Sequence, residues 1–357
     1  MRLTIQAFTV HKRFPLTISR GTTAQTTNLW LKIESDGIEG WGESSPFSVI
    51  KETSTNSEIL QQELTQIIPI LEKFSPLDRE EIEKILIESN LNSSLRAAID
   101  TALYDWLGKK VNLPLWKLWG LNLNSIVPTS VTIGISSPEK AVERVRNWLN
   151  FMDAKVLKIK LGSPDGIEAD KAMILAIRKE SPHIPLTVDA NGGWNLKDAI
   201  YMSDWLVTQN VKYIEQPLDV GDEGNLPQLY ERSPLPIFAD ESCFNSEDII
   251  KLSPYIHGIN IKLMKAGGLT EVMRMIAIAK ACKLQVMYGC YSDSSLANTA
   301  MCHLAPYADY LDLDSHLNLI DDPFEGVTLQ AGKLMLNNLP GLGVKLSNGN
   351  DNQNLSF

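Results

Sequence analysis

The sequence predicts an α/β protein in which eight short strands, alternating with helices, close into a parallel barrel behind an N-terminal α+β unit. From about residue 127, apolar segments recur roughly every 25 residues, the length of one strand and one helix. Runs that are apolar on both faces belong to parallel sheets covered by helices. Eight such units favour a closed barrel over an open sheet. The candidate strands are PTSVTIGI, VLKIKLG, PLTVDAN, VKYIEQP, PIFADES, HGINIKL, LQVMYGC and YADYLDLD.

The first 125 or so residues follow a different pattern. LTIQAFTV is typical of a strand, and NLWLKIESDGIEGWGES alternates apolar and polar residues around Asp36-Gly37, which predicts a hairpin. SSLRAAIDTALYDWLGKK places apolar residues at i, i+3 and i+4, which predicts an amphipathic helix capped by Ser93 or Ser94. These elements together indicate a separate α+β unit.

Composition excludes several classes of function. The 357 residues are 44% hydrophobic and 21% charged, as in an ordinary globular protein, and the net charge of −10 argues against nucleic-acid or anionic-membrane partners. The four cysteines show no zinc-binding spacing, and we expect them to be reduced thiols. MRLTIQAFTV lacks a signal-peptide pattern and no apolar run could span a membrane, so the expected location is the cytoplasm.

Carboxylates end three consecutive strands of the predicted barrel. Asp189, followed by Asn191, ends the third strand, Glu215 the fourth, and Asp240, followed by Glu241, the fifth. A single such Asp more often caps the next helix, but three on adjacent strands would converge at one end of the barrel. They could not all stay ionised there without a cation. Oxygen ligands without His or Cys predict Mg²⁺.

Lysines flank these carboxylates. Lys158 and Lys160 lie two apart in VLKIKLG and share one face of the strand, and Lys262 ends the sixth strand. Solvated lysines on a surface strand are the alternative, but this strand is expected to be buried on both faces. Beside Lys158, Lys160 would lose proton affinity and act as a base, facing Lys262 across the metal. That arrangement suits moving a proton α to a carboxylate, and Lys265 would support a metal carboxylate.

Taken in order, these motifs resemble the enolase superfamily, specifically its muconate-lactonizing-enzyme subgroup and the dipeptide epimerases within it. The resemblance covers nearly the whole chain. Its motifs are GWGESSP, AIDTALYDWLGKKVNLPLWKLWG, KIK, VDAN, EQP, ADES, NIKLMKAGG and PGLGV. It implies a (β/α)₇β TIM-like barrel over residues 126–320 and an α+β capping domain over 1–125, completed by a C-terminal segment over 321–357.

The resemblance also implies roles for the strand-end residues. Mg²⁺ would bind Asp189, Glu215 and Asp240, and Lys160 and Lys262 would be the acid/base pair. Lys158 would hold the substrate carboxylate. Such relatives often form homo-oligomers, and nothing in the sequence chooses an assembly.

The substrate is indicated by YLDLDSH. Asp312 and Asp314 match the Asp-x-Asp motif with which dipeptide epimerases bind a substrate ammonium group, for which a carboxylate is the natural partner. The alternatives are that one Asp is solvated while the other caps a turn, or that the chain is an N-acyl amino acid racemase, an o-succinylbenzoate synthase or a muconate cycloisomerase. Outside enzymology, a catalytically silent barrel could serve as a binding module.

Specificity is expected to come from two loops of the capping domain, residues 14–25 and 46–54. The first carries Arg20, near where an alanyl-glutamate epimerase would hold a glutamate side chain. The second carries Phe47 and Ile50, which favour an apolar side chain. Asp293 follows the seventh strand, where relatives often carry Glu. We therefore expect Ala-containing or hydrophobic dipeptides.

Overall fold

The computed structural model describes residues 1–47 and 56–347, beginning with a three-stranded antiparallel sheet. The strands are β1 (Arg2–Ile18), β2 (Gly21–Ser35) and β3 (Ile38–Ser44). Between β2 and β3, Asp36 and Gly37 have φ angles of 53° and 71°, as a two-residue type I′ hairpin requires, so the predicted hairpin is confirmed. The first segment interpreted as a loop, residues 14–25, is instead mostly strand, because β1 and β2 pair up to Ile18 and Gly21.

Four helices follow the sheet: α1 (Ser57–Leu71), α2 (Arg79–Glu88), α3 (Ser93–Lys110) and α4 (Leu115–Leu118). Helix α3 has the predicted bounds, but its cap is Asn92, whose side chain accepts a hydrogen bond from the Ser94 N–H at 2.9 Å. The prediction of Ser93 or Ser94 as the cap was wrong. Helix α3 packs closely on β3, where a Cβ on Gly42 would overlap the backbone of Ala98.

The predicted parallel barrel is confirmed. Its strands are hydrogen-bonded in chain order, and a bridge between Thr129 and Leu311 joins the first to the last. They are β4 (Ser130–Ile133), β5 (Val156–Lys160), β6 (Leu186–Asp189), β7 (Val211–Glu215), β8 (Ile237–Ala239), β9 (Gly258–Lys262), β10 (Gln285–Gly289) and β11 (Tyr310–Leu311). The helices between them are α5 (Pro138–Phe151), α6 (Ile167–Glu180), α7 (Leu196–Thr208), α8 (Leu226–Arg232), α9 (Ser246–Leu252), α10 (Leu263–Ala266), α11 (Leu269–Ala281) and α12 (Ser295–Cys302).

An apolar cluster lies inside the barrel, next to buried polar side chains such as Thr187 and Asn260. Tyr213, Phe238 and Met287 form a buried cluster with Tyr310 packed against it. Tyr213 and Phe238 each precede a strand-end carboxylate by two residues, so the alternation of a strand directs both sets of side chains inward. This cluster therefore lies below the strand-end carboxylates Glu215 and Asp240.

The last described residues contain four short strands: β12 (Phe324–Glu325), β13 (Thr328–Gln330), β14 (Lys333–Met335) and β15 (Lys345–Leu346). This segment returns to the N-terminal unit, where the ring of Phe324 packs edge-on against Phe8 at 5.7 Å between centroids. The backbone N–H of Gly341 also donates to the carbonyl of Leu113. Among the described residues, no helix is both long enough and apolar enough to cross a membrane.

Candidate active site

The two lysines of β5 point into the barrel. Along this strand Leu157 and Ile159 face the surrounding helices, and the alternation sends Lys158 and Lys160 to the opposite face. Both lysines are buried, with 0% and 7% of their surface exposed. A solvated surface strand, the alternative reading, is therefore excluded.

Three carboxylates meet beside these lysines. Asp189, Glu215 and Asp240 are all fully buried, and one oxygen from each lies within 4.8 Å of the others. The parallel register produces the cluster, because Lys160 pairs with Asp189 and Asp189 with Glu215 across neighbouring strands. Glu215 Oε2 lies 2.7 Å from Lys158 Nζ, and its Oε1 accepts from the side-chain amide of Asn260 at 2.7 Å. Three buried carboxylates that can each turn one oxygen toward the same point fit a hard divalent cation.

The charges of the three carboxylates are not balanced equally. Burial raises the pKa of each, but at Asp189 and Asp240 the adjacent lysine charges outweigh it and lower the pKa. At Glu215 burial, together with the charge of Asp189, raises the pKa well above its usual range. The cluster therefore favours an additional positive charge near Glu215, as a divalent cation would supply.

Lys160 and Lys262 approach the cluster from opposite sides. Lys160 Nζ lies 2.5 Å from Asp189 Oδ2, and Lys262 Nζ lies 2.6 Å from Asp240 Oδ2. The Lys262 ammonium also lies over the ring of Tyr291, 4.6 Å from its centroid. The predicted pair is thus brought together around one point, with one amino group on each side.

Lys158, which was predicted to hold the substrate carboxylate, is surrounded by three carboxylates of the protein. Its ammonium lies 2.6 Å from Asp312, 2.7 Å from Glu215 and 3.2 Å from Asp189. Burial would lower the pKa of Lys158, but the three carboxylates raise it well above the ordinary value. Lys158 is therefore a fixed positive charge within the carboxylate cluster, and its contact with a substrate carboxylate stays a prediction.

The supporting contact predicted for Lys265 is present, and Asn191 and Glu241 make further contacts around the cluster. Lys265 Nζ lies 2.5 Å from Asp240 Oδ1 and also donates to two backbone carbonyls. The side-chain amide of Asn191 donates to Asp189 at 3.2 Å and to Glu241 at 3.0 Å. These bonds fix the orientation of the carboxylates.

Asp312 and Asp314 lie beside the cluster, but they have different partners. Asp312 accepts from Lys158 at 2.6 Å and from Ser130 at 2.7 Å, so it is neither solvated nor free of a cation. Asp314 accepts from the backbone N–H of Thr132 at 2.7 Å. Burial and the charge of Asp312 raise the pKa of Asp314 to about 6. Both carboxylates were expected to be available for a substrate ammonium group. Only Asp314 has no lysine or arginine partner within ion-pair distance among the described residues.

A cavity of about 400 Å³ opens above Lys160 and Lys262. Of the residues predicted for specificity, Phe47 lines it and stacks on Tyr291 at 4.6 Å between ring centroids. Arg20 also lines it, but its guanidinium is held 2.7 Å from Glu241.

Of the two remaining residues predicted for specificity, Ile50 lies outside the described residues. Asp293 is buried and accepts from the backbone N–H of Tyr291 at 3.1 Å. Its contact is with the loop that carries Tyr291.

Sequence reasoning missed several residues at this end of the barrel. Lys12 of β1 and Tyr291 line the cavity, and Thr132, the penultimate residue of β4, contacts Asp314. A signal for Thr132 existed, because it lies near the end of the first barrel strand, as the predicted residues lie near the ends of theirs. Lys12 had none, since β1 lies outside the barrel.

Comparison of the sequence with known proteins identifies relatives along nearly the whole chain. Residues 2–120 match the mandelate racemase/muconate lactonizing enzyme N-terminal domain, and residues 140–350 match the enolase C-terminal domain-like family. The chain is 42% identical over 97% of its length to a hydrophobic dipeptide epimerase of Flavobacteria bacterium strain MS024-2A, covering 98% of that protein. It is 35% identical over 96% of its length to an L-Ala-D/L-Glu epimerase of Bacteroides thetaiotaomicron, covering 88% of it.

A solved structure of a dipeptide epimerase has the same fold. The dipeptide epimerase of Enterococcus faecalis V583, complexed with Mg and the dipeptide L-Leu-L-Tyr, superposes with a TM-score of 0.89 at 31% identity. The match covers 96% of this chain and 98% of the other.

Proposed function

The chain belongs to the mandelate racemase/muconate lactonizing enzyme family, and we propose that it is a Mg²⁺-dependent dipeptide epimerase that inverts the α-carbon of the C-terminal residue. The observation that carries this proposal is the position of Lys160 and Lys262 on opposite sides of one buried carboxylate cluster. An α-carbon held between them has an amino group on each face. Inversion requires such an arrangement, because the proton leaves from one face and returns to the other.

Asp189, Glu215 and Asp240 would hold the Mg²⁺. When bound, the ion would stabilise the negative charge that develops on the substrate carboxylate as the α-proton leaves. Lys160 and Lys262 exchange roles with the direction of reaction: the neutral amine takes the proton from one face and the opposite ammonium returns one. Lys158 keeps a positive charge next to the cluster, and Lys265 holds Asp240 in place.

The ammonium group of the dipeptide would bind at Asp314. This carboxylate is buried and has no lysine or arginine within ion-pair distance among the described residues, whereas Asp312 is paired with Lys158. An ammonium group entering the site would supply the missing charge. N-acyl amino acids have no such group and would leave Asp314 unpaired.

The C-terminal side chain would occupy the large cavity. Leu16, Ile18, Phe47 and Tyr291 line it, and the guanidinium of Arg20 is already paired with Glu241, so we infer a preference for apolar side chains. The name of the 42% identical relative, a hydrophobic dipeptide epimerase, supports the same choice.

The proposal extends to domain organisation and location. We place the capping domain at residues 1–125, the barrel at 126–320 and a segment returning to the cap at 321–357, which the contact between Phe324 and Phe8 supports. Four free thiols and a dipeptide substrate support the cytoplasm as the location.

Deuterium incorporation tests the proposal. The protein is incubated in D₂O with Mg²⁺ and a panel of free L,L-dipeptides, and mass spectrometry records which gain one mass unit. We expect incorporation into dipeptides with apolar C-terminal residues, together with appearance of the L,D epimer. Incorporation only into N-acetylated amino acids would instead identify an N-acyl amino acid racemase.

A further inference from the structure

We propose that Lys12 and Arg144 select an acidic side chain on the N-terminal residue of the dipeptide. This inference rests on the proposed function and specifies the half of the substrate that the metal and the two catalytic lysines do not contact. It concerns a small cleft beside the main cavity, whose lining includes Lys12, Phe14, Arg144, Asp312 and Asp314.

Lys12 lies where the cleft joins the main cavity and contributes to the walls of both. Its side chain is partly buried, yet within the described residues its ammonium has no hydrogen bond and no carboxylate within 4.0 Å. Burial lowers the pKa of Lys12, although the nearby groups Cys290, Asp314 and Asp293 oppose that shift. A partly buried cation facing a cavity gains most from an anionic group brought in by the ligand.

Arg144 of helix α5 adds a second cation to the same cleft. Its guanidinium lies over the ring of Phe14, 4.4 Å from the centroid, and makes one long hydrogen bond of 3.4 Å to the carbonyl of Pro15. Its buried Nε has no partner, and no described carboxylate lies within ion-pair distance of the side chain. Two cations without carboxylate partners therefore line one small space.

The position of the cleft assigns it to the N-terminal residue. With the C-terminal α-carbon between Lys160 and Lys262 and the ammonium group at Asp314, the first side chain leaves the backbone inside the cleft. Asp312 and Asp314 do not exclude an acidic group there, since Lys158 offsets the first and the substrate ammonium the second. A basic side chain would instead meet two like charges.

The test compares Asp-Leu, Glu-Leu, Ala-Leu and Lys-Leu with the Mg²⁺-loaded protein. Epimerisation gives kcat/KM for each, and calorimetry gives each Kd. We expect the better acidic dipeptide to exceed Ala-Leu by about tenfold, as one charge-assisted hydrogen bond provides, and Lys-Leu to fall below Ala-Leu. Lys12→Met should remove the acidic preference, and Lys12→Glu should favour Lys-Leu.

Arg13→Met is the matched control. Arg13 neighbours Lys12 on β1, but its guanidinium lies over the ring of Phe151, away from the cleft. Equal Kd values for acidic and neutral dipeptides, or an acidic preference that survives in Lys12→Met, would overturn the inference. Failure to epimerise any dipeptide would count against the proposed function, whereas the calorimetric ranking decides the role of Lys12 by itself.

Discussion

Replacing Lys160 or Lys262 with methionine should separate the two halves of the proton transfer. Each variant keeps one base, so it can still remove the α-proton from one epimer and exchange it with solvent, but it cannot deliver a proton to the other face. We expect Lys160→Met to exchange one of the L,L and L,D epimers and Lys262→Met to exchange the other. Epimerisation itself should fall by at least about a hundredfold in both, the usual contribution of a general acid or base.

The structure indicates that both variants will fold. In Lys160→Met, Asp189 retains Lys158 at 3.2 Å and the backbone N–H of Asn191 at 2.9 Å. In Lys262→Met, Asp240 retains Lys265 at 2.5 Å. Each substitution removes one charge-assisted hydrogen bond, roughly 1.5–3 kcal/mol, from a domain with about 5–15 kcal/mol of stability.

The assay follows the α-proton signal of each pure epimer by NMR in D₂O with Mg²⁺, and circular dichroism monitors the fold. Complementary exchange, one epimer per variant, is the expected result. If both variants exchanged the same epimer, the two amino groups would not act on opposite faces of the α-carbon, and the reasoning from their positions would fail. Lys171→Met, at a lysine paired with Glu168 on the outer surface, should leave both exchange reactions unchanged.

Three further predictions concern other parts of the molecule. Mg²⁺ should raise the unfolding temperature of the native protein much more than that of Glu215→Gln, because the variant loses a ligand. Burial raises the pKa of Glu43 from 4.5 to about 8, so the folded state binds its proton more tightly. The free energy of unfolding should therefore fall as the pH rises from 4.5 to about 8. Denaturant titrations at a series of pH values should show a smaller fall in Glu43→Gln. Gly42→Ala should destabilise the protein by about 2 kcal/mol or more because its Cβ overlaps Ala98, whereas Gly224→Ala, with open space around it, should not.

Much of the fold could be predicted because its signals are local. The barrel strands are continuous apolar runs at regular spacing, and the hairpin at Asp36-Gly37 and helix α3 follow from short-range patterns. The strands β12 to β15 are two or three residues long, too short to show any period. The cap of α3 was misassigned because Asn92, Ser93 and Ser94 are adjacent residues that can all cap a helix.

The sequence predicts which residues lie at the site, but not which of them form ion pairs when the two partners are far apart in the chain. Strand-end positions place the carboxylates and lysines together, since all barrel strands end at one face. No local pattern shows that Arg20 pairs with Glu241, or that Lys158 pairs with Asp312. These pairings change the expected roles, because each removes a charge that the sequence alone assigned to the substrate.

The adjacent lysines now have a physical explanation. Lys160 shares Asp189 with Lys158, and Lys262 shares Asp240 with Lys265. In the proposed mechanism, when Lys160 or Lys262 gives up its proton, the carboxylate beside it would lose a charged partner in a buried site, which is costly. The second lysine of each pair would keep that carboxylate compensated, so the proton could move without leaving an unpaired charge. On this proposal, like charges lie side by side because one lysine of each pair would become neutral during the reaction.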